Sequence, residues 1–304
     1  MESKITVTPS RVELGHRCYR RHAIADQLKR VKYFSPSLEF GSIVHAGAAA
    51  WWSSEGDGNV ARQEAVNAVK LEWDNRFNSG TGASPGDSLT VDLAIGMIEY
   101  YTKTAELSGA FSLEPGEWQL VATEERLEVP LGPNMVLSFQ NDRIVWNKQT
   151  SHLVIVDTKT AARLDYKWKR QWEVTDQMKL YKKGASIAFD ISPEKVDIVI
   201  EGLLKKVPSS LEYVVCPPWD EGTLDESWRQ AVSIAQRDRA LMLESDMPRD
   251  VGKVEYDALV NTDHNYQCCY EYGVECPYRG LCIAPPDERV SLLRGEYFQI
   301  EGEY

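Results

Sequence analysis

The feature that most constrains this chain is the run Val154-Ile155-Val156-Asp157-Thr158-Lys159 near its middle. Three consecutive β-branched residues predict a buried strand. Residues two apart in a strand point to the same face, so Asp157 and Lys159 project together from the end of this strand. A carboxylate beside an ammonium, with a second acid nearby, is the minimal set for metal-assisted phosphodiester hydrolysis.

The second acid is Asp142, one hairpin earlier in the chain. A turn at 147–151 makes the predicted strands 135–146 and 152–159 antiparallel neighbours, so both carboxylates reach one spot. Adjacent carboxylates raise each other's pKa, and a divalent cation removes that penalty. Hard oxygen ligands suit Mg²⁺ or Mn²⁺. Lys159 would orient or activate water, or neutralise charge on a phosphate; a plain ion pair with Asp157 is the alternative.

The rest of the pattern predicts an α/β fold. Helices are predicted at 11–30, 41–53, 60–77, 88–108, 169–189 and 222–245. Strands are predicted at 118–130, 135–146, 152–159, 196–204 and 211–215. We expect a single domain over 1–304, with a mainly helical part to about 110, a sheet core over 111–220, and a helix and cysteine-rich tail over 221–304.

The charge of the chain is negative overall but uneven. The net charge is −12, which taken alone argues against a nucleic-acid partner. Residues 11–32 nevertheless carry seven basic side chains against two acids, and residues 157–183 carry eight against four. Two basic islands on an acidic body fit a local phosphate-binding groove, and two solvated helix faces are the alternative.

The hydropathy of the chain and its first residues indicate where in the cell the protein is expected. No apolar stretch of membrane-spanning length occurs, so we expect no membrane association. The first residues lack an apolar signal core, which predicts a cytoplasmic protein. In a reducing compartment the six cysteines are expected to be metal ligands or thiols rather than disulfides.

Further polar residues accompany the acid pair. His45 lies just inside a predicted helix, and Gln177 and Tyr181 share one helical face at i and i+4. Each alone is more often a packing residue. A further inner acid is available in the first strand, but strand alternation does not decide between Glu124 and Glu125.

The cysteines crowd the tail. Cys268, Cys269, Cys276 and Cys282 lie within fifteen residues, and Cys18 stands alone in the first predicted helix. Three clustered thiols and a distant one form a Cys₄ set, which suits either Zn²⁺ or an iron–sulfur cluster. The spacing is looser than the paired C-x₂-C of zinc modules, which favours the cluster.

In their order along the chain these residues resemble the PD-(D/E)XK nuclease superfamily. The likeness is greatest to the RecB-like branch with a [4Fe–4S] cluster, which includes CRISPR-associated spacer-processing nucleases and many phage exonucleases. It covers about 8 to 283. It implies a restriction-endonuclease-like core, with a central mixed β-sheet flanked by helices.

The resemblance also implies roles for individual residues. His45, Asp142, Asp157 and the carbonyl of Thr158 would bind the metal ions, with Glu124 as a further acid. Lys159 would be the catalytic lysine. Gln177 and Tyr181 would position the DNA strand or the active-site side chains. The cluster, which in this family clamps the two ends of the chain together, would be held by Cys18, Cys269, Cys276 and Cys282. Cys269 is preferred over Cys268 because Tyr272 and Gly273 follow it in a Cys-x-x-Tyr-Gly pattern.

The expected activity is a metal-dependent DNA exonuclease on single strands or duplex ends, in recombination, repair, phage DNA processing or spacer acquisition. Recombination or helicase proteins are the expected protein partners. Five basic side chains are expected to contact DNA, namely Arg20, Arg21, Lys167, Lys169 and Arg170. A structure-specific or restriction-type endonuclease is one rival. Another is a non-catalytic nucleic-acid-binding protein with a structural Cys₄ metal site.

Overall fold

The computed structural model describes residues 4–28, 30–31, 35–78, 88–105, 118–243, 255, 257–262, 265–271, 274–296 and 298–299. The chain divides into two compact units. We call residues 34–127 and 139–221 the central unit, and residues 1–33, 128–138 and 222–304 the terminal unit. The single-domain organisation expected from the sequence stays a prediction.

Paired strands form a mixed sheet. The long strands β3 (Trp118–Gly132) and β4 (Met135–Asn147) pair with each other across a turn, in which Asn134 adopts a φ of 56°. The next turn is held by the Asn147 side chain, which accepts hydrogen bonds from the N–H groups of Gln149 and Thr150. Asparagine suits both positions because it tolerates positive φ and bonds the backbone two residues on.

The following strands complete the sheet of the central unit. They are β5 (His152–Ala161), β6 (Val196–Leu204) and β7 (Leu211–Val215). β5 is antiparallel to β4 and parallel to β6, whereas β7 is antiparallel to β6. Arg143 pairs with Val156, so the next residues along the two strands are Asp142 and Asp157. Strand register therefore brings the two acids together.

Helices pack on this sheet. The central unit contains α3 (Pro36–Ser53), α4 (Gly58–Trp73, continued by a π-helical turn Asp74–Asn78) and α5 (Val91–Thr104). Asp57 and Thr90 cap α4 and α5 by accepting hydrogen bonds from first-turn N–H groups. Apolar side chains of the three helices and of Leu203 form one buried core cluster. Gly47 allows this packing, because a Cβ there would lie 2.6 Å from Val69 Cγ2.

Two further helices precede β6. They are α6 (Tyr166–Arg170), which a 3₁₀ turn Gln171–Glu173 continues, and α7 (Asp176–Ala188). α7 contacts β6, α3 contacts β5, and α5 contacts β6. The arrangement is a mixed sheet flanked by helices, which confirms the expected α/β fold class.

The terminal unit joins the two ends of the chain. Its first part contains β1 (Ile5–Val7), α1 (Pro9–Arg17) and α2 (Tyr19–His22), then a π-helical turn Ala23–Gln27 and β2 (Arg30–Val31). β1 pairs in parallel with the beginning of β4. The long helix α8 (Glu221–Leu243) supplies most of the later part.

Short elements complete the described tail. They are a π-helical turn Asp257–Asn261, a 3₁₀ turn Tyr266–Cys269, the strands Tyr270–Glu271, Val274–Glu275 and Phe298–Gln299, and the helices Arg279–Ile283 and Arg289–Glu296. Strand Phe298–Gln299 pairs antiparallel with β2. No helix in the described ranges is long and apolar enough to cross a membrane.

Three predicted helices are wrong in extent. The helix predicted over 11–30 begins at Pro9 and breaks at Cys18, whose φ of −158° and ψ of 102° are extended. The helix predicted over 41–53 begins earlier, at Pro36. The helix predicted over 169–189 is divided at Val174 and Thr175, and its long part begins at Asp176. The predicted strands are confirmed to within a few residues.

Candidate active site

The end of β5 presents Asp157 and Lys159 as an ion pair. The Lys159 Nζ lies 2.7 Å from Asp157 Oδ2, with 28% of the lysine side chain exposed. Burial alone would lower the pKa of Lys159, but the Asp157 carboxylate raises it, so the side chain is a cation. Burial raises the pKa of Asp157, and Asp142 adds to that rise while Lys159 opposes it. A further cation near Asp157, in addition to Lys159, would therefore stabilise its ionised form.

Asp142 is on β4, and its side chain contacts both β5 and helix α3. Its Oδ2 accepts a hydrogen bond of 2.6 Å from the Thr158 N–H, and its Oδ1 lies 3.3 Å from His45 Nδ1. Burial opposes ionisation of Asp142, but His45 and Lys159 outweigh it and its pKa is lowered. Burial also disfavours the imidazolium, yet Asp142 raises the pKa of His45 to about 8. The two side chains hold each other in their charged forms.

Glu124, and not its neighbour Glu125, joins this pair. Glu124 has a φ of 51°, which interrupts strand alternation, and its Oε2 accepts a 2.6 Å hydrogen bond from Gln140 Nε2. Glu125 is exposed. Burial and the charge of Asp142 raise the pKa of Glu124. One ligand atom each from His45, Glu124 and Asp142 lies within 4.8 Å of the others, so this nitrogen and two oxygens could hold a metal ion.

Gln177 and Tyr181 lie together on α7. Gln177 Nε2 donates a 3.0 Å hydrogen bond to the Tyr181 hydroxyl. The Tyr181 ring stacks on Phe139 with centroids 5.7 Å apart. Burial and the charge of Asp157 raise the pKa of Tyr181, whereas Lys159 opposes the rise. The phenol is therefore neutral and lies within electrostatic reach of the ion pair on β5.

Three of these residues, His45, Glu124 and Lys159, line one cleft of about 740 Å³. Residues of α3 form part of its wall, namely Ser37, Leu38, Gly41, Ser42, Ala46 and Ala49. The other lining residues are Glu72, Arg76, Gln140, Thr160 and Lys205. The cleft thus exposes the lysine and two of the three residues that could hold a metal ion, His45 and Glu124.

A second charged group, absent from the sequence-based prediction, lies beneath the same strands. Arg143 Nη2 lies 3.0 Å from Glu201 Oε1, and these side chains are 4% and 0% exposed. The Tyr101 hydroxyl donates to Glu201 Oε2 at 2.8 Å and accepts from Arg143 Nη1 at 2.7 Å. The Thr158 hydroxyl also donates to Glu201, at 3.1 Å. The sequence signal for this network is Glu201, which lies within the largely apolar run Ile198–Leu204 of β6.

Trp52 completes this buried network. Its Nε1 donates a 2.7 Å hydrogen bond to the Tyr101 hydroxyl, and Arg143 Cζ lies 4.3 Å from the centroid of its ring. An enclosed space of about 10 Å³ is lined by members of both groups, including His45, Asp142 and Arg143. The network therefore supports β4 and β5 directly behind the candidate metal ligands.

The terminal unit gathers the tail cysteines around Cys18. One pocket is lined by five thiols and three other residues: Cys18, Cys268, Cys269, Cys276, Cys282, Arg21, Asn265 and Tyr278. Burial raises the pKa of Cys269, and Cys276, Cys282 and Cys18 raise it further. The Cys268 Sγ instead lies 3.4 Å from the Arg17 carbonyl oxygen. Tyr272 and Gly273, which favoured Cys269 in the sequence, lie outside the described residues.

The basic residues expected to contact DNA differ in exposure. Arg20 is only 3% exposed and donates to the Thr262 carbonyl at 2.8 Å, which corrects the expectation of a surface contact. Its side chain also hydrogen bonds Cys282, which opposes the rise that burial causes in the pKa of that thiol. Arg21 lines the cysteine pocket.

The other three lie on α6 of the central unit. Lys167 is exposed. Lys169 pairs with Glu212 at 2.8 Å, and Arg170 with Glu173 at 2.8 Å. DNA contact by these side chains, and metal binding by the Thr158 carbonyl, stay predictions.

A family model and several solved structures match this chain. The family model described as the PD-(D/E)XK nuclease superfamily matches residues 6–283. Among solved structures, a candidate exonuclease from Eubacterium rectale aligns at 13% identity over 91% of this chain and 90% of its own, with a TM-score of 0.47. The structure of SSO0001 aligns at 14% identity over 93% and 89%, with a TM-score of 0.34. The comparison with curated proteins gives no match.

Proposed function

Because the chain belongs to the PD-(D/E)XK nuclease superfamily, we propose that it is a metal-dependent DNA exonuclease of the RecB-like branch, acting on single strands or duplex ends. The observation that carries the proposal is the grouping of His45, Glu124 and Asp142, of which His45 and Glu124 line the same cleft as Lys159. Nucleases of this superfamily generally use divalent metal ions. The substrates of nucleases are nucleic acids, and we propose DNA rather than RNA as the substrate of this protein.

The donor set fits a divalent cation. Carboxylate oxygens are the ligands that Mg²⁺ and Mn²⁺ prefer, and the His45 imidazole can add a nitrogen once it has lost its proton. Asp142, Asp157 and Glu124 outnumber the adjacent cations His45 and Lys159, and the raised pKa values of Glu124 and Asp157 reflect mutual repulsion as well as burial. A bound ion would supply Lewis-acid activation and charge neutralisation at the scissile phosphate.

The protein's own groups would do the rest. Lys159, held as a cation by Asp157, would stabilise negative charge developing on the phosphate. The neutral Tyr181, oriented by Gln177 and by its stack on Phe139, would donate a hydrogen bond to the strand or to a neighbouring active-site group. His45 would hold Asp142 in position from helix α3.

The experiment is digestion of end-labelled linear DNA, single- and double-stranded, with Mg²⁺ or Mn²⁺. Wild type should release short products from the ends, and circular single-stranded DNA should stay intact. Cleavage of the circle would instead indicate the endonuclease alternative. Wild type that leaves all DNA undegraded, with any divalent ion, would leave the non-catalytic binding protein as the better account.

The cysteine pocket supports a second part of the proposal. Cys18, Cys269, Cys276 and Cys282 would hold a [4Fe–4S] cluster, with zinc as the alternative, and Cys269 is favoured because its pKa responds to the other three thiols. Four thiols lining one pocket provide the donor chemistry that such a cluster requires.

The cluster has its own test. Anaerobically purified wild type should show the broad visible absorption of an iron–sulfur cluster, and Cys276→Ala should lose it. Cys268→Ala is the matched control and should keep the absorption. Colourless protein containing stoichiometric zinc would contradict the cluster and support the Cys₄ zinc site.

Exposed basic residues of α6 and a partner protein belong to the same proposal. Lys167, Lys169 and Arg170 would follow the phosphate backbone near the cleft, and a helicase or recombination protein would deliver DNA ends. Reduced salt dependence of DNA binding in a Lys167→Ala variant would support the first claim.

A further inference from the structure

Lys205 lines the same cleft as the candidate metal ligands. It follows β6 directly, and its ammonium reaches the first turn of α3, where it donates to Ser37 Oγ at 2.6 Å and to the Ser37 carbonyl at 3.3 Å. Its Nζ also lies 5.7 Å from the centroid of the Phe40 ring. His45, Glu124 and Lys159 lie on the lining of this cleft with it. The sequence-based prediction gave Lys205 no role.

The other cations of the cleft each face a carboxylate. Lys159 pairs with Asp157, and Arg76 pairs with both Glu39 and Glu72. The contacts of Lys205 among the described residues are a hydroxyl, a carbonyl and an aromatic ring, all of them neutral. Burial lowers the pKa of Lys205, and no carboxylate in the described part of the chain opposes that effect. A partly desolvated ammonium without a counter-ion is costly and is relieved by an anion.

We propose that Lys205 binds a backbone phosphate of the nucleic-acid strand, next to the phosphate that is cleaved. The inference rests on the proposed nuclease function and adds to it a residue that holds the substrate. The strand would supply the anion that the ammonium lacks, on the same cleft wall as Lys159. Lysine serves such contacts as a point charge, so the contact would add affinity without selecting a base.

The alternative is a purely structural role, in which Lys205 only ties the end of β6 to α3 through Ser37. The two roles separate experimentally. Ser37→Ala removes the hydroxyl that Lys205 bonds but keeps the ammonium in the cleft. Lys205→Gln removes the charge, and Lys205→Arg keeps it. Lys206→Ala removes an exposed lysine next in the chain that does not line the cleft, and is the matched control.

The experiment measures binding of a fluorescent single-stranded oligo(dT) by anisotropy, without divalent ions, over a series of KCl concentrations. Steady-state cleavage of the same strand with Mn²⁺ and thermal unfolding accompany it. Lys205→Gln should weaken binding about tenfold at low salt and raise KM with little change in kcat, as loss of one charged hydrogen bond predicts. The plot of log K against log[KCl] has a negative slope, and the magnitude of that slope should decrease by about 0.7, the value for one phosphate contact on a single strand.

The variants decide between the roles. Lys205→Arg, Ser37→Ala and Lys206→Ala should keep the wild-type salt slope. A Lys205→Gln protein with unchanged affinity and salt slope overturns the inference, and so does one whose only change is a lower melting temperature shared with Ser37→Ala. If wild type cleaves DNA while Lys205→Gln is unaltered, the nuclease function stands and this inference falls. Wild type that neither binds nor cleaves overturns both.

Discussion

Two charged groups lie close together on the strands of the central unit and differ in their access to solvent. The open group is formed by His45, Glu124, Asp142, Asp157 and Lys159; His45, Glu124 and Lys159 line a cleft of about 740 Å³, whereas the Asp157 side chain is only 4% exposed. The closed group, formed by Arg143, Glu201, Tyr101, Thr158 and Trp52, is buried, with its arginine and glutamate only 4% and 0% exposed. Thr158 connects them, because its N–H bonds Asp142 and its hydroxyl bonds Glu201.

The difference lies in the balance of charge. In the closed group one guanidinium meets one carboxylate, and hydroxyls supply the remaining hydrogen bonds. In the open group three carboxyls face one lysine and one histidine, and burial raises the pKa of two of them. Both groups cost desolvation, but only the open one has a use for a further cation. We therefore infer that the closed group stabilises the fold and that the open group binds the metal ion and carries the catalytic residues.

The largest expected effect is on cleavage by the Lys159→Ala variant. Removing the cation that faces the phosphate should lower the rate about 10³–10⁴-fold. The fold should be retained, although the Asp157 carboxyl, which is 4% exposed, loses its ion-pair partner and is then favoured in its protonated form. The measurement is initial-rate digestion of labelled DNA, with circular dichroism on the same samples. Lys206→Ala, with its exposed side chain, is the control and should cleave like wild type.

Breaking the closed group should affect stability instead. Glu201→Gln leaves the buried Arg143 guanidinium without its carboxylate and should lower the free energy of unfolding by about 3–5 kcal/mol. The rate per folded molecule should fall by less than tenfold. Urea unfolding and cleavage measured together check this. The double variant Arg143→Met/Glu201→Leu, which removes both charges, should recover most of the stability; if it does not, the network does more than balance charge.

The open group should make the metal-free protein sensitive to pH. His45 has its pKa raised from 6.5 to about 8, so the folded state gains stability that is fully present below pH 6.5 and lost as the pH rises through 8. The loss should reach up to about 2 kcal/mol, since one pKa unit is about 1.4 kcal/mol. Thermal unfolding at pH 6 and 8.5 in EDTA checks it, and the His45→Gln variant should flatten the difference.

The smallest expected effect comes from Thr158→Val. The substitution keeps the backbone N–H that bonds Asp142 but removes the hydroxyl bonded to Glu201. The loss of one hydrogen bond to a charged group should cost about 1–2 kcal/mol of unfolding free energy and leave cleavage unchanged. A large loss of cleavage would show that the two groups are not separable in the way their burial suggests.

Much of this arrangement could be predicted from the sequence, because it depends on strands. The apolar run before Asp157 and the turn at 147–151 predict two antiparallel strands, and the register of those strands follows from the length of the turn. Helical spacing likewise predicts that Gln177 and Tyr181 meet, and their side chains are 3.0 Å apart.

The rest depends on local backbone or on distant contacts. Alternation could not choose Glu124 over Glu125, because the positive φ at Glu124 breaks the period. Gly15 lies three residues before Cys18 and weakens a helix, but it does not place the break at Cys18. Tyr101, Arg143 and Glu201 meet only through the tertiary fold. A glutamate flanked by apolar residues, as Glu201 is in β6, indicates that a buried partner exists but does not identify it.

Mn²⁺ binding tests the central claim most directly. Titration of the protein with Mn²⁺, followed by electron paramagnetic resonance of the free ion, should show saturable binding to wild type. Asp142→Asn should bind much more weakly, because it removes a charged ligand from the group of His45, Glu124 and Asp142. The Glu201→Gln variant should bind Mn²⁺ with wild-type affinity under conditions in which the variant is folded. Wild type that binds no Mn²⁺, or Asp142→Asn that binds it as tightly as wild type, would contradict the account.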